Sequence, residues 1–182
     1  VNDVNGEYPL MENAGKGRVQ PGHKRYTVFS LWDTYRNVHQ LLTLVYPERQ
    51  NDMLRSMTDM YKEWGWMPKW ELYGRETFTM EGDPAIPVIT DSYLKGLDGF
   101  DVEAAWEAFL KSAETPGRGN LMRPDVDPYI EKGYIPLGVY SADLSGDNSV
   151  SHALEYYVAD NALSLFASAL GHEAEAEKFR AR

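Results

Sequence analysis

The chain has 182 residues, no Cys, and 18 Lys+Arg against 28 Asp+Glu, for a formal net charge of −10. Its 43 % hydrophobic content is enough to bury the core of one domain and excludes a disordered chain. The missing Cys excludes disulfides, thiolate metal sites and a Cys nucleophile, the acidic balance argues against nucleic acid as a partner, and no apolar run is long enough for a membrane span.

Residues 1–28 carry the turn chemistry of Asn5-Gly6 and Gly15-Lys16-Gly17 and the breakers Pro9 and Pro21. They read as a linker or extended segment, with a short extended stretch at Tyr26-Thr27-Val28-Phe29. From residue 29 to residue 182 the pattern is helical. Over 33–45, Val38, Leu41, Leu42 and Val45 follow a 3.6-residue period. Pro47 closes that helix and suits the first turn of the next, over 47–64, which lines up Met53, Met57, Met60, Tyr61 and Trp64 and ends at Gly65. Residues 66–83 read as a connection dense in Trp, Gly and charge. Two further helices are expected over 84–94 and 102–113, the latter with Val102, Ala105, Trp106, Phe109 and Leu110 inward. Residues 114–148, rich in Pro and Gly, read as long and irregular. A fifth helix runs from Ser149 to Gly171, with Leu154, Val158, Ala162, Leu165 and Ala169 in register, and a short amphipathic helix follows over 173–180.

The pattern predicts an all-α fold in which the helices pair in chain order: first with second, third with fourth, fifth with sixth. Short links within pairs and long, aromatic, charged links between them are what part of an (α/α)6 barrel of helical hairpins produces. Three hairpins are half of such a barrel, so the inner faces of the first, third and fifth helices are expected to be partly uncovered. The chain then reads as a piece of a longer polypeptide. A self-contained helical domain is the alternative.

Aromatic residues make up 13 % of the chain, including five Trp and 12 Tyr. Beside many carboxylates, such a composition suits a sugar site, because pyranose C–H faces stack on rings while hydroxyls bond to acids. It equally suits a helical core built from large side chains. Three clusters concentrate the chemistry. In Phe29-Ser30-Leu31-Trp32-Asp33-Thr34-Tyr35-Arg36, Asp33 is either a helix-start carboxylate or, with Trp32 and Arg36, part of a sugar-binding rim. In the segment from Pro68 to Asp83, Trp70, Glu76 and Asp83 stand out, and Glu76 and Asp83 are of the type that glycoside hydrolysis uses in pairs. In the third cluster, His152, Tyr156 and Asp160 share one face of a helix, with Glu155 beside them, as a ligand site or a structural network.

Asp143, Ser145, Asp147 and Ser149 alternate like the start of a calcium loop, but Gly146 is misplaced and no Glu closes the loop, so they read as a polar turn. Phosphate-loop, dinucleotide, HExxH and GxSxG motifs are absent, and four scattered His without Cys make a poor zinc site.

Five blocks in fixed order carry a resemblance: the Phe29 to Arg36 block, Gly74-Arg75-Glu76-Thr77 leading to Met80-Glu81-Gly82-Asp83, Lys95-Gly96 before Phe100-Asp101, Gly133-Tyr134-Ile135-Pro136, and Ser149 to Tyr156. Together they resemble the exo-acting alpha-mannosidases of glycoside hydrolase family 92, over nearly the whole chain. The resemblance implies a β-sandwich followed by an (α/α)6 barrel, calcium dependence, inversion at the anomeric carbon and alpha-linked mannosides of N-glycans or mannan as substrates, often 1,2-linked. It implies that Asp33 contacts the terminal mannose of the −1 subsite, with Trp32, Arg36, Trp70, Glu76 and Asp83 as further candidates for sugar binding. The blocks that hold the family's general acid, general base and calcium ligands do not occur here, nor does the sandwich. The resemblance therefore implies half of a barrel that works with the rest of its own polypeptide, in a secreted or periplasmic enzyme. A non-catalytic carbohydrate-binding module, or a barrel enzyme for another sugar, remain the alternatives.

Overall fold

The computed structural model describes residues 1–139 and 148–182. A β-hairpin, β1 (Glu7–Pro9) and β2 (Lys16–Arg18), opens the chain and pairs antiparallel with Tyr8 opposite Gly17. Residues 1–28 are tied to the body. Met11 is fully buried, and its N–H donates to Glu63. Arg25 makes a bidentate pair with the same carboxylate at 2.8 and 2.9 Å.

The first predicted helix is two helices. α1 (Leu31–Thr34) and α2 (Val38–Val45) are separated by a break at which Asn37 takes φ −156° and ψ −32°. α3 (Pro47–Trp64) starts on its Pro and ends on Gly65 in the left-handed conformation, as the punctuation predicts. The connection after it contains strands. β4 (Trp70–Leu72) and β5 (Arg75–Glu76) form a hairpin, and β3 (Phe29–Ser30) adds to it with Ser30 opposite Trp70. α4 (Ala85–Leu94) and α5 (Val102–Glu114) follow, the latter capped by Asp101, which accepts the Ala104 N–H. Within the stretch expected to be irregular lies a further helix, α6 (Val126–Lys132). α7 (Ser149–Leu170) is the longest, and α8 (Glu173–Arg180) folds back on it.

The pairing holds for α2 with α3 and for α7 with α8, but α4 lies chiefly against α7 and α2, and α5 against α3. The core gathers the Met and Leu residues of α3 with Ile86 and Ile89 of α4, Phe109 of α5 and Leu163 and Phe166 of α7. α7 turns a different face inward than its Leu and Val positions suggested. His152, Tyr156, Asp160, Leu163 and Ala167 are buried, while Val150 is 72 % and Leu154 57 % exposed. On α2, Leu41 is 60 % and Leu44 75 % exposed. Two apolar helix faces are thus uncovered, on α2 and α7, whereas α4, whose inner face was also expected to be partly uncovered, buries its Ile and Val residues completely. A helix apolar on both faces folds whichever face is covered, so period alone cannot assign the inner side.

Candidate functional site

The corner from Val28 to Asp33 is held from below by one buried carboxylate. Glu71 on β4 accepts the Val28 N–H, the Thr27 hydroxyl and the Gly74 N–H. Val28 itself has φ 66°, a costly conformation for a β-branched residue, so the corner needs this anchor. Leu31 donates its N–H to Lys69 O and is fully buried. Because Leu31 and Tyr35 point into the body one turn apart, Asp33 and Arg36 are turned outward, with Trp32 half-buried between them. Asp33 is exposed and accepts the Ser30 hydroxyl.

Arg36 is far more constrained than an exposed side chain usually is. Its Nη2 meets Glu155 Oε1 at 3.1 Å and its Nη1 donates to the Tyr35 hydroxyl at 2.9 Å. The Tyr35 hydroxyl in turn donates to Glu155 Oε2 at 2.8 Å. Burial and that bond push the Tyr35 hydroxyl up to about 12. The guanidinium lies 4.7 Å above the Trp32 ring and 4.6 Å from the Tyr35 ring. Glu155 projects from the second turn of α7, and Gly82 of the second cluster packs directly on it. The three sequence clusters therefore meet at one carboxylate.

A second, buried constellation lies beneath the loops. Arg123 is fully buried and binds Asp83 at 3.0 Å and Asp160 at 2.6 Å, and Asp160 also accepts the Tyr129 hydroxyl. Asp125 accepts the Tyr156 hydroxyl at 2.6 Å and lies 3.0 Å from His152 Nδ1. Burial would raise the Asp125 carboxyl, but the His152 and Tyr156 hydrogen bonds outweigh it and hold the pKa below the usual range. His152 Nε2 faces the Asn148 amide, which reaches Glu81 Oε1 at 2.8 Å. Of the two readings of His152, Tyr156 and Asp160, the network is what forms.

A cavity of about 280 Å³ borders this network, with Lys69, Asn120 and His152 among its polar walls and Phe78 and Met80 among its apolar ones. Asn120 and both ring nitrogens of His152 already have partners, and Lys69 donates to Met122 O at 3.1 Å. Burial lowers the Lys69 pKa, against the pull of Asp83, Glu76 and Asp125. Trp32, Asp33 and Arg36 do not line this cavity; they form an open rim.

The family profile described as the Glycosyl hydrolase family 92 catalytic domain matches residues 1–182. The chain belongs to glycosyl hydrolase family 92. Among solved structures, the family GH92 alpha-mannosidase BT3965 from Bacteroides thetaiotaomicron is 33 % identical over 98 % of the chain, with a TM-score of 0.86. The same protein in complex with mannoimidazole matches equally well. The inverting GH92 mannosidase BT2199 from the same organism is 26 % identical over 96 % of the chain, with a TM-score of 0.83. The chain spans 23 % and 22 % of the length of these two relatives. No curated protein sequence matches it.

Within this GH92 segment, the structure brings Trp32, Asp33 and Arg36 together on the rim. Trp70 sits in β4 opposite Ser30, at the base of the same corner. Glu76 and Asp83 are not placed there. The Glu76 carboxylate is buried and accepts the N–H groups of Lys69, Trp70 and Phe78. Burial raises its pKa and these bonds oppose the rise. Asp83 Oδ2 is taken by Arg123 and the Ser112 hydroxyl. Both act as internal anchors, Glu76 for the loop under the rim and Asp83 between α4 and α5. Sequence reasoning singled out none of Tyr35, Glu71, Glu81 and Asn148, and it named Glu155 only beside the His152, Tyr156 and Asp160 face, apart from Trp32, Asp33 and Arg36. Only their place next to Arg36, Trp70, Gly82, Ser149 and Tyr156 could have pointed to them. Of the calcium-like run, Asp143, Ser145 and Asp147 lie outside the described residues, and Ser149 opens α7. Among the described residues, no three His, Asp or Glu side chains are grouped to hold a metal ion.

Proposed function

We propose that this chain is part of a calcium-dependent, inverting exo-alpha-mannosidase that removes terminal mannose from N-glycans or mannans, with a preference for alpha-1,2 linkages. In this reading Trp32, Asp33 and Arg36 supply part of the −1 subsite. The observation that carries it is the convergence of Trp32 and Arg36 with Glu155, which lies 119 positions after Arg36, on one solvent-facing rim of a GH92 fold. Arg36, laid over the half-buried Trp32 ring, offers guanidinium N–H groups, and the exposed Asp33 carboxylate can accept bonds from two sugar hydroxyls. An inverting reaction also needs two carboxyl groups about 6.5–9.5 Å apart with water between. Glu76 and Asp83 are committed to internal bonds, so the acid, the base and the calcium ligands are assigned to other parts of the polypeptide. The residues described do not fit a calcium site.

The uncovered faces of α2 and α7 support the architectural half of the reading, in which a β-sandwich and the remaining hairpins complete an (α/α)6 barrel. A secreted or periplasmic setting follows from the glycan substrates. The test uses the longest natural polypeptide that contains these residues. With alpha-1,2-mannobiose it should release β-mannose first, lose activity to a chelator and recover it with calcium. Asp33→Asn should cut kcat/KM by about tenfold or more without lowering the melting temperature. Retention of configuration, or full activity of Asp33→Asn, would overturn the reading.

A further inference from the structure

Arg36 is 46 % exposed, and a half-exposed ion pair adds little to stability. Yet its guanidinium is fixed by two hydrogen bonds and two aromatic faces. Both hydrogen bonds lead to Glu155. One carboxylate oxygen takes Arg36 and the other takes the Tyr35 hydroxyl that also receives Arg36. Glu155 is itself largely enclosed, with 15 % of its side chain exposed. Its backbone is carried by α7, the longest helix and part of the core, so Arg36 is tied to a fixed element of the fold. A guanidinium has five N–H groups, and two are used here, which leaves the rest for solvent or ligand.

We propose that Glu155 is the positioning residue of the rim: it holds Arg36 over the Trp32 ring, so that the free guanidinium N–H groups are set before a sugar arrives. The advantage is one of preorganisation, because ordering a long side chain on binding would otherwise oppose affinity. The role rests on the proposed mannoside reading for its substrate, but not for its geometry.

The experiment takes the longest natural polypeptide carrying these residues, labelled with 5-fluorotryptophan, and compares Glu155→Gln, Arg36→Met and Tyr35→Phe. The Trp32 fluorine resonance is assigned with Trp32→Phe. Glu155→Gln should shift that resonance in the ligand-free protein and raise KM for mannobiose about tenfold, while kcat changes less than about twofold. Arg36→Met should reproduce both effects, and the double variant should be no worse than either single one. An unmoved Trp32 resonance in both variants, or an unchanged KM, would overturn the proposal. Should Glu155→Gln fail to fold, Arg36→Met and Tyr35→Phe carry the same test, because both leave Glu155 in place. If the wild type cleaves no alpha-mannoside, the mannosidase reading fails and the resonance alone decides the positioning role.

Discussion

Gly82 touches Glu155 so closely that a Cβ added to the glycine would lie 2.5 Å from the Glu155 Cβ. Gly82 also has φ 73°, where side chains are strained. Both atoms belong to backbone-fixed positions, so neither can yield cheaply. Gly82→Ala should therefore cost about 1–3 kcal/mol of stability and tilt Glu155 away from Arg36. Denaturant titration gives the first quantity, and a crystal structure of the variant gives the second. A stable variant with the Arg36–Glu155 pair intact would show that the contact has slack.

The Arg123 network makes a different kind of demand. Arg123, Asp83 and Asp160 are all nearly sealed from water, and Asp83 and Asp160 share one cation. Arg123→Met keeps much of the volume but leaves two buried carboxylates without it. The expected loss is about 3–5 kcal/mol, read from chemical denaturation. A loss below about 1 kcal/mol would mean that water or Lys69 takes over the neutralisation.

How far the sequence revealed this protein depended on punctuation. α3 was legible because Pro47 and Gly65 mark both ends. The break between α1 and α2 has neither residue, only Tyr35, Arg36 and Asn37. The β4–β5 hairpin was hidden because Tyr73 stands at a turn position with φ 53° that Asn or Gly usually fills. α6 was hidden by Pro128, which is tolerated because it falls in the first helical turn. In the site, Trp32, Asp33 and Arg36 could be read from one contiguous block. Glu155 could be placed beside the His152, Tyr156 and Asp160 face but not next to Arg36, because a contact across 119 positions leaves no local pattern.

His39 gives the pH prediction. It is buried between Thr34 and Gln50, and Gln50 continues to Ser92, so it links α2 to α3 and α4. Burial lowers its pKa below the ordinary 6.5, with the Gln50 bond opposing. As pH falls through about 6.5, the unfolded chain binds a proton that folded His39 refuses. Stability should thus decline from pH 7 toward pH 5. The raised pKa values of Asp59 and Glu76 act the other way, but nearer the carboxylate range. Thermal melts of wild type and His39→Gln over this window provide the check. An equal slope in both would assign the effect to another group.

The uncovered faces of α2 and α7 should govern how the 182 residues behave by themselves. Leu41, Leu44, Val150 and Leu154 each expose more than half of their surface, and grouped apolar side chains of this size favour association. If the barrel reading is right, these faces are meant for other hairpins of the same polypeptide. The isolated chain should then self-associate and bind a hydrophobic dye, and it should release no mannose from mannobiose in the presence of calcium. Leu41→Glu with Leu154→Glu should restore a monomer in the isolated chain, because surface positions accept charge at little cost. The same pair in the longest natural polypeptide should be severely destabilising, because there the charges would be buried. Sedimentation of the isolated chain and melting of the longer one read the two arms. Equal tolerance in both settings would mean that these faces stay in water, and the half-barrel would have to be abandoned.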